Sequence, residues 1–165
     1  MVTISSATNR NELNTIQKLA YNIWPTAYSH ILSKQQLEYM LSLYYSIDAL
    51  QSQLNNGHLF YIAQTNKEAV GFASCSLIDN AILKLQKLYV LPSTQHLGIG
   101  KQLLQTVTQY GLQHNCTTIQ LNVNRYNSAI EFYKKNGYAI THTVDIAIGN
   151  NYYMNDYIME KSLVF

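Results

Sequence analysis

Apolar positions recur at helical spacing over the first third of the chain, alternate over the middle, and switch between the two periods towards the end. Val2 to Ser5 alternates and predicts a short opening strand. Asn9 followed by Glu12 has the spacing of a capping box. Leu13, Ile16, Ala20, Ile23 and Trp24 then fall on one helical face until Pro25, which is expected to end the run. Ser33 with Gln36 opens a second helix carrying Leu37, Met40, Leu41 and Tyr44 on one side. A short third helix from Asp48 to Leu54 stops at Asn55-Asn56-Gly57.

The period then changes to two. His58 to Gln64 reads as a strand, Ala69 to Leu77 as its hairpin partner, and Ala81 to Leu91 as a third strand. Asn66-Lys67 and Asp79-Asn80 supply the turns, and Pro92 closes the third strand because it cannot donate to a ladder. A longer helix follows with Gly100, Leu103, Leu104, Val107 and Gly111 on its inner face. Thr117 to Val123 returns as a strand and Tyr126 to Asn136 as a helix. Tyr138 to Ile148 and Tyr152 to Met159 make a closing hairpin around Gly149-Asn150-Asn151. The predicted order is β-ααα-βββ-α-β-α-ββ. Adjacent strands imply an antiparallel portion, and the strand–helix–strand passage from Ala81 to Val123 implies a parallel crossover. The expectation is an α/β fold with a mixed sheet, in one domain spanning residues 1–165.

Composition narrows the partners. Charged residues make up only 12% of the chain and the formal net charge is +2. Lys134–Lys135 is the longest basic run, so a nucleic-acid partner is not expected. Cys75 and Cys116 have no CxxC or His-rich neighbourhood, and no metal site is expected. Nothing at the N-terminus resembles a signal peptide, and no apolar run reaches the roughly 20 residues that span a bilayer. A cytoplasmic protein without a membrane partner is expected. The 14 tyrosines suit the lining of a cleft, since each offers an apolar face and one polar tip.

Two stretches carry candidate chemistry. Tyr89-Val-Leu-Pro-Ser-Thr-Gln-His-Leu-Gly-Ile-Gly-Lys101 places a glycine-containing turn between a strand and a helix. Free N–H groups and the helix dipole favour an anion there, and Gly98 and Gly100 let the backbone approach phosphate oxygens. A Walker A loop is excluded by Gln95 and Gln102, and a dinucleotide fingerprint by Leu103. The turn alone fits an ordinary glycine-rich helix start equally well. The second stretch is Asn124-Arg-Tyr-Asn-Ser-Ala-Ile-Glu-Phe-Tyr-Lys-Lys-Asn-Gly-Tyr138. Ser128 with Glu131 has capping-box spacing, Asn127 lies at the opening turn, and Ala129, Phe132 and Tyr133 share a face. Gly137 has the place of a left-handed cap.

Gln95-x-x-Gly98-x-Gly100, followed by Asn127-x-Ala129-x-x-Phe132-Tyr133-x-x-x-Gly137-Tyr138, resembles the GNAT superfamily of N-acetyltransferases, and the element order matches along nearly the whole chain. The ending Asp156-Tyr-Ile-Met-Glu-Lys-Ser-Leu163 is further similar to bacterial polyamine N-acetyltransferases. The resemblance implies acetyl-CoA as co-substrate and no metal. It implies a cleft where Leu88, Tyr89 and Val90 lie on a strand that splays from its neighbour to admit the pantetheine. Gln95, His96, Leu97, Gly98, Ile99, Gly100 and Lys101 would cradle the pyrophosphate. Asn127, Ala129, Phe132 and Tyr133 would lie along the pantetheine arm, with Tyr133 as the catalytic acid at the sulfur. A backbone N–H near Tyr89 or Val90 would face the developing oxyanion. Homodimers are common in the resembled family, and the chain does not mark a pairing surface.

The implied reaction is direct attack of a neutral primary amine on the thioester within a ternary complex. An alkylamine with pKa near 10.4 is roughly 0.04% neutral at pH 7, a penalty of about 4.6 kcal/mol. The site must offset that with a base, a depressed amine pKa, or both. The resembled family often carries a Glu on the strand before the phosphate turn. Here Leu83-Lys-Leu-Gln-Lys-Leu-Tyr-Val90 has no carboxylate, and Gln86 or Lys87 is a poor substitute. A water chain, His58 or His30 remains as base; His96 suits hydrogen bonding, and His114 and His142 have no evident role. Trp24, Tyr28, Tyr44, Tyr45, Tyr152 and Tyr153 are candidate walls of the acceptor site, with Glu38, Asp48, Asp145 and Asp156 as nearby carboxylates. A small-molecule amine, polyamine included, is the first acceptor reading. A protein N-terminus and a non-catalytic acyl-CoA sensor are the alternatives.

Overall fold

The computed structural model describes residues 1–164. Its elements follow the predicted order: β1 Val2–Ala7, α1 Arg10–Tyr28, α2 Lys34–Tyr45, α3 Ile47–Asn55, β2 Leu59–Thr65, β3 Glu68–Leu77 and β4 Ile82–Val90. After a 3-10 turn at Pro92–Leu97 come α4 Ile99–Gln113, β5 Thr118–Asn124, α5 Ala129–Lys135, β6 Ala139–Gly149 and β7 Tyr152–Ser162. Local chemistry accounts for most boundaries. The Asn9 side chain accepts from Glu12 N while Glu12 reaches back to the Asn9 N–H, so the α1 capping box forms. Ser33 and Ser46 cap α2 and α3 through their hydroxyls. Asn66 and Lys67 take positive φ in the β2–β3 turn, as do Gly149, Asn150 and Asn151 between β6 and β7. Among the described residues no helix is long and apolar enough to cross a membrane.

One seven-stranded sheet runs in the order β1-β2-β3-β4-β5-β7-β6. All neighbours are antiparallel except β4 and β5, which pair in parallel across α4. Two cores lie on opposite faces. Against α4 pack Leu83, Leu85, Leu103, Val107, Ile119, Leu121 and their neighbours; against α1–α3 pack Leu13, Ile16, Ile23, Tyr45, Phe60 and Phe72.

Two local readings are corrected and a third is extended. Pro25 does not end α1, which continues one further turn to Tyr28. Pro25 faces solvent, and burial of Ile23, Trp24 and Tyr28 holds the turn in place. The inner face of α2 also takes in Tyr45, which is more deeply buried than Tyr44 beside it on the same core. Helix α5 begins at Ala129 rather than Tyr126. Ser128 has helical backbone angles and no capping bond; the Asn127 side chain, through Oδ1, accepts from Ala129 N at 2.9 Å instead.

Candidate active site

The site follows from two departures from regular pairing on β4. Parallel pairing with β5 covers only Ile82–Leu85 against Thr118–Leu121, yet both strands continue beyond it. Past Leu85, β4 keeps β3 on one side and opens a slot towards β5 on the other. The antiparallel register with β3 also slips: Cys75 faces Leu85, but Ser74 faces Lys87, leaving Gln86 as a bulge. A bulge reverses the alternation that follows it. Leu88 and Val90 therefore pack on the α4 side, while Tyr89 packs with the α1–α3 core. Lys87 faces the latter side as well, opposite Ser74.

The slot opens into a cleft of about 880 Å³ that crosses the molecule between α1–α2, the end of β4, α5 and the β6–β7 hairpin. At one end lies the 3-10 turn. Gln95, His96, Gly98, Gly100 and Lys101 line it, with Gly98 in the left-handed region at φ 72°. Leu97 is 59% exposed and Ile99 is wholly buried in the core, so neither side chain lines the cleft. Those two residues can contribute only backbone. Leu88, Tyr89 and Val90 form the slot edge, and Asn127, Ala129, Phe132 and Tyr133 form the opposite wall.

Tyr133 is buried, its ring set edge-on to Phe132 and Tyr138 at 5.4 and 5.7 Å. Its hydroxyl makes no hydrogen bond among the described residues. Burial pushes its pKa well up, with Tyr28 and Tyr138 adding to the effect, so the phenol stays protonated and can only give its proton to a strong base. Tyr28, delivered by the last turn of α1, bonds the Tyr89 hydroxyl at 2.8 Å. Trp24, Tyr28 and Tyr89 form one aromatic cluster, with ring centroids 4.6 to 6.3 Å apart.

Of the tyrosines and tryptophan expected to wall an acceptor site, Trp24, Tyr28, Tyr44, Tyr45 and Tyr153 line the cleft, whereas Tyr152 packs on Tyr39. The hairpin is tied across to α2. Gln36 Nε2 donates to Tyr153 O at 2.9 Å and the Tyr39 hydroxyl donates to Ile148 O. Of the four carboxylates considered, only Asp156 lines the cleft. Glu38 pairs with Lys34 on the surface, Asp145 pairs with Arg125, and Asp48 does not line it. Asp156 is 5% exposed. Burial raises its pKa, opposed by the Asn122 amide at 3.4 Å and by Lys84 and Arg125. His30 and His96 stand at exposed edges of the cleft. His58 is half-buried and does not line it; burial, then the charge of Lys87, lowers its pKa. Sequence reasoning set Asp156 among wall carboxylates without giving it a chemical role, and it set Lys87 aside. Lys87 is in fact 8% exposed in the cleft, and burial brings its ammonium down to about 8.

A protonated phenol, a carboxylate and an opened strand edge thus line one cleft, groups of the kind that acyl transfer to an amine uses. Residues 16–138 match the model of the acetyltransferase (GNAT) family. The chain belongs to that family and is an acetyl-CoA-dependent acetyltransferase. It is 30% identical over 156 residues to the spermidine N(1)-acetyltransferase of Thermoplasma acidophilum, with 91% of each chain covered. Its fold is similar to the crystal structure of PaiA N-acetyltransferase from the same organism in complex with coenzyme A. That match has a TM-score of 0.84 at 27% identity and covers 98% of this chain and 99% of the other. The ribosomal-protein-S18-alanine N-acetyltransferase of Escherichia coli shares the fold at a TM-score of 0.75 and 19% identity, covering 100% and 96%.

Proposed function

We propose that the protein acetylates the primary amine of a small molecule by direct attack within a ternary complex, with Asp156 as proton acceptor and Tyr133 as proton donor. The observation that carries this reading is that both side chains line the cleft into which the slot between β4 and β5 opens. Acetyl-CoA supplies the activated acetyl thioester. The chain fits it in three respects: β4 past Leu85 has main-chain groups free of β5, Gly98 turns the chain in the left-handed region, and α4 begins there without a side-chain cap. The free N–H groups of α4 and the adjacent Lys101 suit the pyrophosphate. Phe132 and Ala129 suit the pantetheine arm.

Asp156 has the chemistry to draw in an ammonium, accept its proton and release it towards solvent. A carboxyl whose pKa is raised by burial is a better base near neutrality than an exposed one. A main-chain N–H of the opened edge near Tyr89 or Val90 stabilises negative charge on the acetyl oxygen. Tyr133 gives its proton to the departing sulfur. The Tyr28–Tyr89 hydroxyl pair keeps the wall between these groups ordered.

The bonds from α2 to the β6–β7 hairpin favour a small acceptor over an extended peptide, because they bridge the acceptor end. The spermidine N(1)-acetyltransferase relative supports an aliphatic amine as acceptor class. Thiol release from acetyl-CoA, measured against aliphatic amines, amino acids, amino sugars and short peptides, tests the reading. Turnover confined to peptides would overturn it.

A further inference from the structure

Lys87 is a desolvated cation without a counter-ion. It is 8% exposed and makes no ion pair or hydrogen bond among the described residues. Its ammonium lies 5.2 Å from the centroid of the Tyr45 ring. Asp156, the one carboxylate of the four that lines the cleft, acts on Lys84 and is not among the influences on Lys87. Two further polar groups near it are also unpartnered, although neither lines the cleft. Ser74, directly opposite on β3, is wholly buried with a hydroxyl that bonds nothing. His58, just before β2, has a buried Nδ1 without a partner and feels the Lys87 charge.

A buried ammonium left without a counter-ion costs free energy, and a monoanion placed in the cleft beside Lys87 would recover much of it. The same location is unsuited to a polycation, since a second ammonium brought near Lys87 meets a like charge in a poorly solvated place. One fixed positive charge matches one negative charge, and a carboxylate in the cleft can accept from Nζ.

We propose that Lys87, a buried and unpaired ammonium on the cleft wall, forms a carboxylate subsite, so that the acceptor is an amino acid or another amine bearing one carboxylate. This rests on the transferase reading above and specifies its substrate class. The acceptor's amine then lies towards Asp156 and its carboxylate towards Lys87, so that two groups of the cleft wall recognise opposite charges.

The test compares acceptors that differ only by the carboxylate: ornithine with putrescine, lysine with cadaverine, and 4-aminobutyrate with propylamine. For the wild type, kcat/KM is expected to be at least tenfold higher for the carboxylated member. In Lys87→Met that ratio is expected to fall at least tenfold. A second arm titrates ornithine and putrescine calorimetrically into the protein loaded with CoA, where no acetyl group is present. Ornithine is expected to bind at least tenfold more tightly, with the difference lost in Lys87→Met. If amines turn over but putrescine equals or exceeds ornithine in both proteins, the subsite is wrong and the transferase reading stands. If nothing turns over but ornithine binds in a Lys87-dependent way, the subsite stands and the small-amine reading fails. Absence of both turnover and binding overturns the two together.

Discussion

Replacing Lys87 with Met should make the protein more stable at neutral pH. Met keeps an unbranched stem of similar reach on the same face of β4 while removing the charge. Burial lowers the lysine from 10.5 to about 8, so folding at pH 7 carries a desolvation cost of roughly 3 kcal/mol. The sign follows from proton linkage. Between about 8 and 10.5 the unfolded chain binds the proton more tightly than the folded one, so the wild type gains stability as pH rises through that window. Below pH 8 the cost is fully present, and above 10.5 it has gone. Chemical denaturation of both proteins at pH 7 and pH 10 measures it, other titrating groups cancelling in the difference. Lys87→Met is expected to be more stable by roughly 2–4 kcal/mol at pH 7. This corresponds to a rise of about 6–12 °C in Tm for a chain of this size. The gap should narrow substantially at pH 10. A variant no more stable than wild type at pH 7, or a gap that does not change with pH, would refute the account of Lys87 as a desolvated, unpaired cation.

Three other outcomes are expected. Tyr133→Phe should lower kcat by about 100-fold, the usual contribution of a positioned acid. The CoA dissociation constant should change less than threefold, as calorimetry would establish. Asp156→Asn should lower kcat by a similar factor without loss of stability. The raised carboxyl pKa means the folded protein holds this proton more tightly than the unfolded one, so ionisation of Asp156 works against folding as pH rises. The wild-type pH–rate profile should therefore have an acid limb above the ordinary carboxylate range, absent from the residual activity of Asp156→Asn. Gly98→Ala should cost about 1–2 kcal/mol from the left-handed backbone alone. A Cβ at Gly98 would meet nothing within 4 Å, so a thermal shift much larger than that cost implies would point to a packing role that the geometry lacks.

The helical N-caps at Asn9, Ser33 and Ser46 act between residues three apart, and the hairpin turns at Asn66-Lys67 and Gly149-Asn150-Asn151 are equally local. Sequence neighbours therefore suffice to place those elements, and the element order follows. The end of α1 was not legible because burial of Tyr28 against the sheet, a tertiary effect, outweighs the local penalty of Pro25. The acceptor end was hidden for a more specific reason. Strict alternation along β4 puts Lys87 on the same face as Leu83 and Leu85, against α4. The bulge at Gln86 reverses the faces and carries Lys87 and Tyr89 into the cleft. Nothing in the local composition announces an extra residue there. Asp156 belongs to β7, far along the chain from β4, and reaches the slot only because β7 pairs with β5.

The central claim is acetyl transfer to a small primary amine across the β4–β5 slot. Thiol release from acetyl-CoA, followed across the amine and peptide panel for wild type and Tyr133→Phe, tests it most directly. The account expects an amine-dependent rate with one or more small primary amines and its collapse in Tyr133→Phe. Amine-independent thiol release, turnover restricted to peptides, or an undiminished rate in Tyr133→Phe would contradict it.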